Sequence, residues 1–383
     1  MRNICFVTGT RAEFGLMQSV LRAIRKHKKL HLQLIATGMH LDPAHGAGVQ
    51  SIEREGWKVD RVVGWGSDSG RDRATTARNT GLAMTGLVDA FVALQTDLVL
   101  VVGDRVEAFA AASAAHIAGL PVAHVHGGDR ALGQVDDALR HAITKLAHIH
   151  FPATRQSAQR IYQLGEERWR ITRAGSPGLD GITKAAASPG AIRKVVGRVT
   201  PGRFALIVLH PAMDSEQLEY TRAGLILNAT RAIPFEQILI VYPNNDPGAA
   251  GIMRCWEAEA QADPTRVRAY RDLPRRIFLG LLRDAAVLIG NSSSGIIEAA
   301  SFGTPVIDIG PRQQGRERGR NVLWAPYASG RLGMALRSMW NNGRPRHFAS
   351  QNIYGGEGAG RIIADTLAKI EIDLRLTRKL IRY

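Results

Sequence analysis

Residues 97–102 are almost pure Leu and Val, and they run into Gly103-Asp104-Arg105. A strand that is apolar at nearly every position has to be covered on both faces, as happens in parallel sheets flanked by helices. The pattern recurs. Residues 3–8, 32–37, 58–63, 121–126, 148–153 and 170–174 also read as strands, and helical spacing fills the intervals at 12–25, 46–55, 75–94, 106–118 and 136–147. Strands alternating with helices predict a doubly wound parallel sheet.

A Gly-, Pro- and Ser-rich break covers 175–189, after which the rhythm restarts. Strands are expected at 204–209, 237–242, 267–270, 285–289 and 305–309, the last clear one. Helices are expected at 215–231, 250–260, 273–283, 296–302 and 330–340, with one long amphipathic helix from 358 to the end. A chain of 383 residues exceeds one ordinary core. The reading is α/β, with two Rossmann-like domains, 1–178 and 179–359, and a helix at 360–383 that packs back on the first.

In such sheets ligands sit beyond the carboxyl ends of the strands, so the residues just after each strand carry the functional argument. Gly9-Thr10-Arg11-Ala12-Glu13 follows the first strand. Arg11 suits a phosphate, although a helix-start ion pair between Arg11 and Glu13 would need no ligand. The dinucleotide fingerprint G-x-G-x-x-G is absent, which disfavours a nicotinamide site. Asp104 stands where a general base is useful, or where a helix needs an N-cap. Next comes His124-Val125-His126-Gly127-Gly128-Asp129, followed by Asp136, Asp137, Arg140 and His141. His141 reads as a packed helix residue. The spacing matches no standard zinc motif. Several carboxylates in one half-buried place shift each other's protonation, which suits proton transfer.

In the second half, His210-Pro211 and Tyr242-Pro243-Asn244-Asn245-Asp246 follow strands. His210 suits phosphate binding or proton movement, and the Asn amides suit a base or ribose. Gly290-Asn291-Ser292-Ser293-Ser294-Gly295 reads as a strand–turn–helix that points backbone N–H groups at an anion, or as a serine-capped helix start with nothing bound. Glu298 reads as about one turn into that helix, too deep to cap it. Residues 310–320 hold four arginines among glycines and read as a mobile basic loop, suited to a diphosphate.

The formal charge of +16 raises nucleic acid as a partner. The basic residues are dispersed, however, and no zinc-finger or aromatic RNP pattern accompanies them. Cys5 and Cys255 are two isolated cysteines in apolar settings, which reads as packing thiols in a reducing cytoplasm. No segment reads as a membrane span or a secretory signal.

Taken together, the motifs resemble the UDP-N-acetylglucosamine 2-epimerase family. They are Gly9–Glu13, Thr37-Gly38-Met39-His40-Leu41, Gly103-Asp104-Arg105, His124–Asp129, Arg140–Lys145, Gly175-Ser176-Pro177-Gly178, Asn291–Glu298 and Gly303-Thr304-Pro305-Val306. The likeness is strongest to the hydrolysing branch. It implies a GT-B-like fold with the substrate in a cleft between two domains. It also implies anti elimination of UDP to a 2-acetamidoglycal, then hydration to N-acetylmannosamine, with no cofactor and no metal. The acid/base group implied is Asp104, Asp129 and Asp136, with His126 and His210. UDP contacts implied are Arg11, Arg105, His210, Asn244, Ser292, Ser293, Ser294, Gly295, Glu298 and Arg312. A homodimer or homotetramer is the implied assembly. The family commonly has Gly-Gly-Glu where this chain has Gly127-Gly128-Asp129, which opens UDP-N,N′-diacetylbacillosamine as a second substrate. Other classes compatible with these motifs are a non-hydrolysing epimerase and a GT-B glycosyltransferase.

Overall fold

The structure is a computed structural model. It describes residues 1–41, 48–66, 73–130, 135–212, 215–243, 248–271, 273–380 and 382, with the backbone alone at Arg73, Val135 and Asp136. Two compact units emerge, Met1–Asp180 with Tyr354–Tyr383, and Gly181–Ile353.

The first unit is built on β1 (Arg2–Thr8), β2 (Leu30–Ala36), β3 (Arg61–Val62), β4 (Leu98–Val102), β5 (Val122–Val125) and β6 (Ile149–Phe151). They form one sheet in the order β3-β2-β1-β4-β5-β6, and every pairing is parallel. All five residues of β4 are buried. One face lies under the helices Arg11–Lys26 and Ala359–Lys369, where Phe14, Met17, Leu21, Ile363 and Leu367 pack on Ile4, Phe6 and Leu100. The other face lies under Arg73–Ala93, Val106–Ile117 and Val135–Leu146, whose Leu87, Phe91 and Ala-rich surface packs on Val7, Val99 and Val101. Burying side chains of this size contributes roughly 1.5–3 kcal/mol each.

The chain returns to this unit through Asp180. Its carboxylate takes the N–H groups of Gly358, Ala359 and Gly360 at 2.6, 3.0 and 2.7 Å, capping the helix Ala359–Lys369. The long final helix expected from sequence is broken. It stops at Lys369, and a short helix, Leu374–Thr377, restarts behind Asp373, whose carboxylate accepts the Leu376 N–H at 2.8 Å. Asp is a better N-cap than helix interior, so Asp373 makes a second start.

The second unit holds β7 (Phe204–Val208), β8 (Gln237–Val241), β9 (Val267–Tyr270), β10 (Val287–Gly290), β11 (Val306–Ile309) and β12 (Val322–Ala325), in the order β12-β11-β10-β7-β8-β9. Its pairings are parallel too. Trp256, Leu332, Leu336 and Trp340 pack on the strands Ile207, Ile240 and Ile289. β12 lies beyond the strand expected to be last. The expected strand at 58–63 shrinks to two residues, and 170–174 contributes only a bridge from Ile171 to His150. Cys5 and Cys255 are buried and unbonded, and burial pushes both thiols up, Cys255 to about 11.

Candidate active site

In each sheet the strand order reverses once, between β1 and β4 and between β7 and β10. Ligands in doubly wound sheets collect at such reversals. The residues singled out from sequence group at these two edges.

At the β1 end, Thr10 caps the helix Arg11–Lys26 and Glu13 closes a capping box. Glu13 Oε2 accepts the N–H groups of Gly9 and Thr10 at 2.9 and 3.1 Å, and Thr10 Oγ1 accepts the Glu13 N–H at 3.2 Å. Glu13 is thus turned back onto the backbone rather than toward Arg11, which stays exposed. Gly9 makes room for a second buried carboxylate, since a Cβ there would lie 2.5 Å from Glu107 Cγ. Arg105 forks onto Glu107 at 3.2 and 3.3 Å. Burial first, and the Glu107 charge second, push the Glu13 carboxyl up to about 7.

At the β4 end, Gly103 turns with a φ of 78°. Asp104 does not cap the helix Val106–Ile117. Arg105 holds the cap position, without a side-chain bond. Asp104 instead forms an ion pair, Oδ2 with Arg140 Nη2, and Arg140 Nη1 lies 3.9 Å from Asp129 Oδ2. Arg140 is buried on Val135–Leu146. One guanidinium thereby faces two carboxylates from two strand ends, offsetting their mutual repulsion.

Asp129 is buried. Its Oδ1 accepts the Ser157 hydroxyl at 2.6 Å, and its Oδ2 lies 3.4 Å from His126 Nδ1. His126 Nε2 sits 3.0 Å from Ser176 Oγ. His124 has a different task. Its Nε2 meets the Gly103 carbonyl at 2.8 Å and its Nδ1 the Thr144 hydroxyl at 3.3 Å. Burial pulls it down to about 3, so it is neutral and ties β5 to the Asp104 turn and the Arg140 helix. Asp136 lies in the first turn of that helix, with its side chain outside the described residues. His141 is half-buried, 3.8 Å from Asp137.

In the second unit, Asn291 spans the reversal. It is buried, its Oδ1 accepts the His210 N–H at 2.7 Å, and its Nδ2 donates to the His210 carbonyl at 2.8 Å. Its own carbonyl accepts from Gln313 Nε2 at 2.9 Å and Arg312 Nη1 at 3.3 Å. Gly290 is required, because at its φ of 140° a Cβ would stand 2.0 Å from the Val208 carbonyl oxygen. Ser292 caps the five-residue helix Ser293–Ile297, its Oγ accepting the Ser294 N–H at 3.3 Å. That helix ends before Glu298, so Glu298 lies at its C-cap and not a turn inside it, and a 3₁₀ turn, Ala299–Phe302, follows. Glu298 Oε1 accepts from Arg275 Nη2 at 2.5 Å, while Oε2 is buried and takes no hydrogen bond among the described residues.

The loop 310–320 is tied down rather than mobile. Arg318 forks onto buried Asp308 at 2.9 and 2.6 Å, and Gln313 holds the Asn291 carbonyl. Burial pushes the Asp308 carboxyl up in spite of Arg318. Asn244 lies outside the described residues.

Comparison with known proteins gives the family and the fold. The model of a family described as UDP-N-acetylglucosamine 2-epimerase matches residues 22–368. The chain belongs to the UDP-N-acetylglucosamine 2-epimerase family. A Legionella pneumophila relative named UDP-N,N′-diacetylbacillosamine 2-epimerase (hydrolyzing) is 34% identical over 93% of this chain and 92% of its own. The Neisseria meningitidis UDP-N-acetylglucosamine 2-epimerase is 31% identical over 97% of this chain and 95% of its own. The crystal structure of a Neisseria meningitidis UDP-GlcNAc 2-epimerase bound to UDP-GlcNAc shares the fold, with a TM-score of 0.81 at 19% identity. It covers 96% of this chain and 100% of that one. The epimerase chain is an enzyme of the hydrolysing UDP-sugar branch, its particular sugar unfixed. Its two sheets have the GT-B-like α/β architecture expected from sequence. Among the described residues, no helix is long and apolar enough to cross a membrane.

Sequence reasoning missed several residues that build these epimerase edges. Arg140 stands in the sequence beside the carboxylate cluster without a role, and an arginine one turn into a helix behind three carboxylates is the signal for its ion pairs. Thr154-x-x-Ser157 is a capping spacing that brings a hydroxyl to Asp129. Asn291, Gln313 and Arg318 lie in stretches the sequence singles out, but their partners, which lie across the sheet or loop, carry no local signal.

Proposed function

We propose that this chain eliminates UDP from UDP-N-acetylglucosamine and hydrates the product, releasing N-acetylmannosamine and UDP. A base removes the C2 proton, the C1–O bond to UDP breaks, and a C1–C2 double bond forms. Water then adds its oxygen at C1, and a proton returns to C2 on the opposite face. Proton removal and return fall to Asp104, Asp129 and Asp136, with His126 beside them. His210, Arg11, Arg105, Arg312 and the turn Ser292–Gly295 hold UDP, with Asn244 reaching the uridine. Glu298 Oε2 is an acceptor for a sugar hydroxyl. The observation that carries this reading is one buried guanidinium, Arg140, facing Asp104 and Asp129 at the point where the first sheet reverses. Such an arrangement fixes carboxylates for general acid–base work.

A second substrate has its own support. The 34% relative is named for UDP-N,N′-diacetylbacillosamine, and Asp129 is one methylene shorter than the family's usual Glu. Incubation of both UDP-sugars in deuterated water tests both readings. UDP release with deuterium at C2 of the freed sugar is expected. An intact epimerised UDP-sugar, or release without deuterium, overturns the hydrolysing reading, and the faster substrate identifies the sugar. We further propose a cytoplasmic homodimer or homotetramer, which light scattering checks.

A further inference from the structure

We propose that Ser157 and Ser176 are positioning residues for this reaction, locking His126 and Asp129 into one proton arrangement. In it, before substrate binds, His126 Nδ1–H is given to Asp129, and Asp129 starts as the acceptor. The inference rests on the epimerase reading for its kinetic consequence, and its proton arrangement rests on the spacing of these groups together with an ionised Asp129.

The chain of donors begins at the N-cap of the helix Arg155–Gln163. Thr154 Oγ1 accepts the Ser157 N–H at 3.0 Å and donates to Ser157 Oγ at 2.9 Å. Accepting from Thr154, the Ser157 hydroxyl sends its single proton to Asp129 Oδ1, at 2.6 Å. The other carboxylate oxygen lies 3.4 Å from His126 Nδ1. An ionised carboxylate has no proton to give, so Nδ1 carries it. In the proposed arrangement Nε2 is bare, and Ser176 Oγ, 3.0 Å away, fills it as donor. Both serines and His126 are buried, so water does not compete for these bonds.

The backbone enforces the arrangement. His126 adopts a φ of 61°, uncommon for a residue with a side chain, and so is held by its surroundings. Gly128 packs against the helix so closely that a Cβ would lie 2.3 Å from the Ser157 carbonyl oxygen. Arg160 from the same helix donates to the Gly128 carbonyl. Ser176 is fixed in turn by its N–H, which donates to the Tyr354 carbonyl at 2.8 Å.

This assigns a purpose to the short carboxylate. Asp129 reaches Ser157 at 2.6 Å with one methylene. A Glu there would carry its carboxylate past the Ser157 hydroxyl and off the His126 ring. Asp129 and Ser157 are a matched pair, and Asp129→Glu is not a conservative change in this chain.

The test uses the full chain. Nitrogen-15 NMR of histidine rings, with His126 identified by its absence from His126→Gln, reads the tautomer without turnover. A ring protonated at Nδ1 with Nε2 bare is expected, and a ring protonated at Nε2, alone or together with Nδ1, overturns the proposal. In kinetics with the better UDP-sugar, Ser157→Ala is expected to lower kcat roughly 10- to 100-fold with KM within twofold, as for a displaced reacting group. Ser157→Thr is expected to recover kcat to within about threefold of wild type. A Ser157→Ala enzyme with wild-type kcat, or a Ser157→Thr enzyme as slow as Ser157→Ala, overturns the proposal. If Ser157→Ala does not fold, Ser176→Ala carries the same kcat-against-KM test. If wild type releases UDP from neither sugar, the epimerase reading has failed, and the NMR result still decides the proton arrangement.

Discussion

The reversal points of the two sheets share one topology and differ in chemistry. In the first unit, groups beyond the strands are carboxylates and imidazoles that meet through side chains: Asp104 and Asp129 on Arg140, Asp129 on Ser157, His126 on Ser176. In the second unit the contacts run mainly to backbone: Asn291 to both His210 groups, Gln313 and Arg312 to the Asn291 carbonyl. Side chains that pair with one another fix where protons lie. Side chains that hold backbone fix the shape of a loop. The same fold thus presents one edge suited to chemistry and one suited to grip, a division that point changes can separate.

The largest expected effect is at the first edge. Asp104→Asn keeps the shape but removes the charge that faces Arg140 and one member of the proposed acid/base set. A fall in kcat of roughly 10³-fold is expected, with UDP affinity by calorimetry within twofold of wild type. Retained turnover would remove Asp104 from the acid/base set. At the second edge the pattern should invert. Arg312→Ala is expected to raise the UDP dissociation constant by roughly 10- to 100-fold, the size of a hydrogen bond to a charged group, with kcat at saturation changed by less than about threefold. A kcat loss equal to the affinity loss would end the division of labour.

Asn291→Ala probes the frame beneath the grip. It leaves the His210 N–H and carbonyl without their buried partner, and each such group costs about 1–3 kcal/mol. A loss of about 2–3 kcal/mol in urea unfolding is expected. A change below about 0.5 kcal/mol would mean that the bridge is replaceable by water.

Sequence showed where to look better than what is there. Three of the four strands that set the reversals, 97–102, 204–209 and 285–289, announce themselves because coverage on both faces forces apolar residues at successive positions. β12 did not, because it is an edge strand with Leu323 and Trp324 on the surface. The break at Asp373 and the end of the helix at Ile297 turn on capping, which competes with helical spacing over a few residues. Asp104, His126, Asp129 and His210 were legible because they follow strands. Their partners were not. Ser157 lies 28 residues from Asp129 and Ser176 lies 50 from His126, and nothing local ties those positions together. The Arg11–Glu13 pair failed for the opposite reason, since a nearer partner, the Thr10 backbone, took Glu13.

Glu13 gives the smallest effect and the sharpest contrast with the second edge. Its carboxylate holds two backbone N–H groups, as second-unit side chains do, yet it sits beside buried Glu107. Its carboxyl is raised from 4.5 to about 7, by burial and then by Glu107. Below the ordinary value, folded and unfolded chains both hold the proton, and this group adds no slope. Between the ordinary value and about 7 the unfolded chain has lost the proton and the folded chain keeps it, so stability falls as pH rises. Above that window the loss is complete and constant. Glu13→Gln keeps an oxygen for the Gly9 and Thr10 N–H groups and removes the titration. The stability of Glu13→Gln relative to wild type should therefore grow by on the order of 1 kcal/mol between about pH 5 and pH 8, read by urea unfolding at both values. A difference that is flat with pH would show that Glu13 is already ionised in the folded chain, with Arg105 outweighing both burial and Glu107.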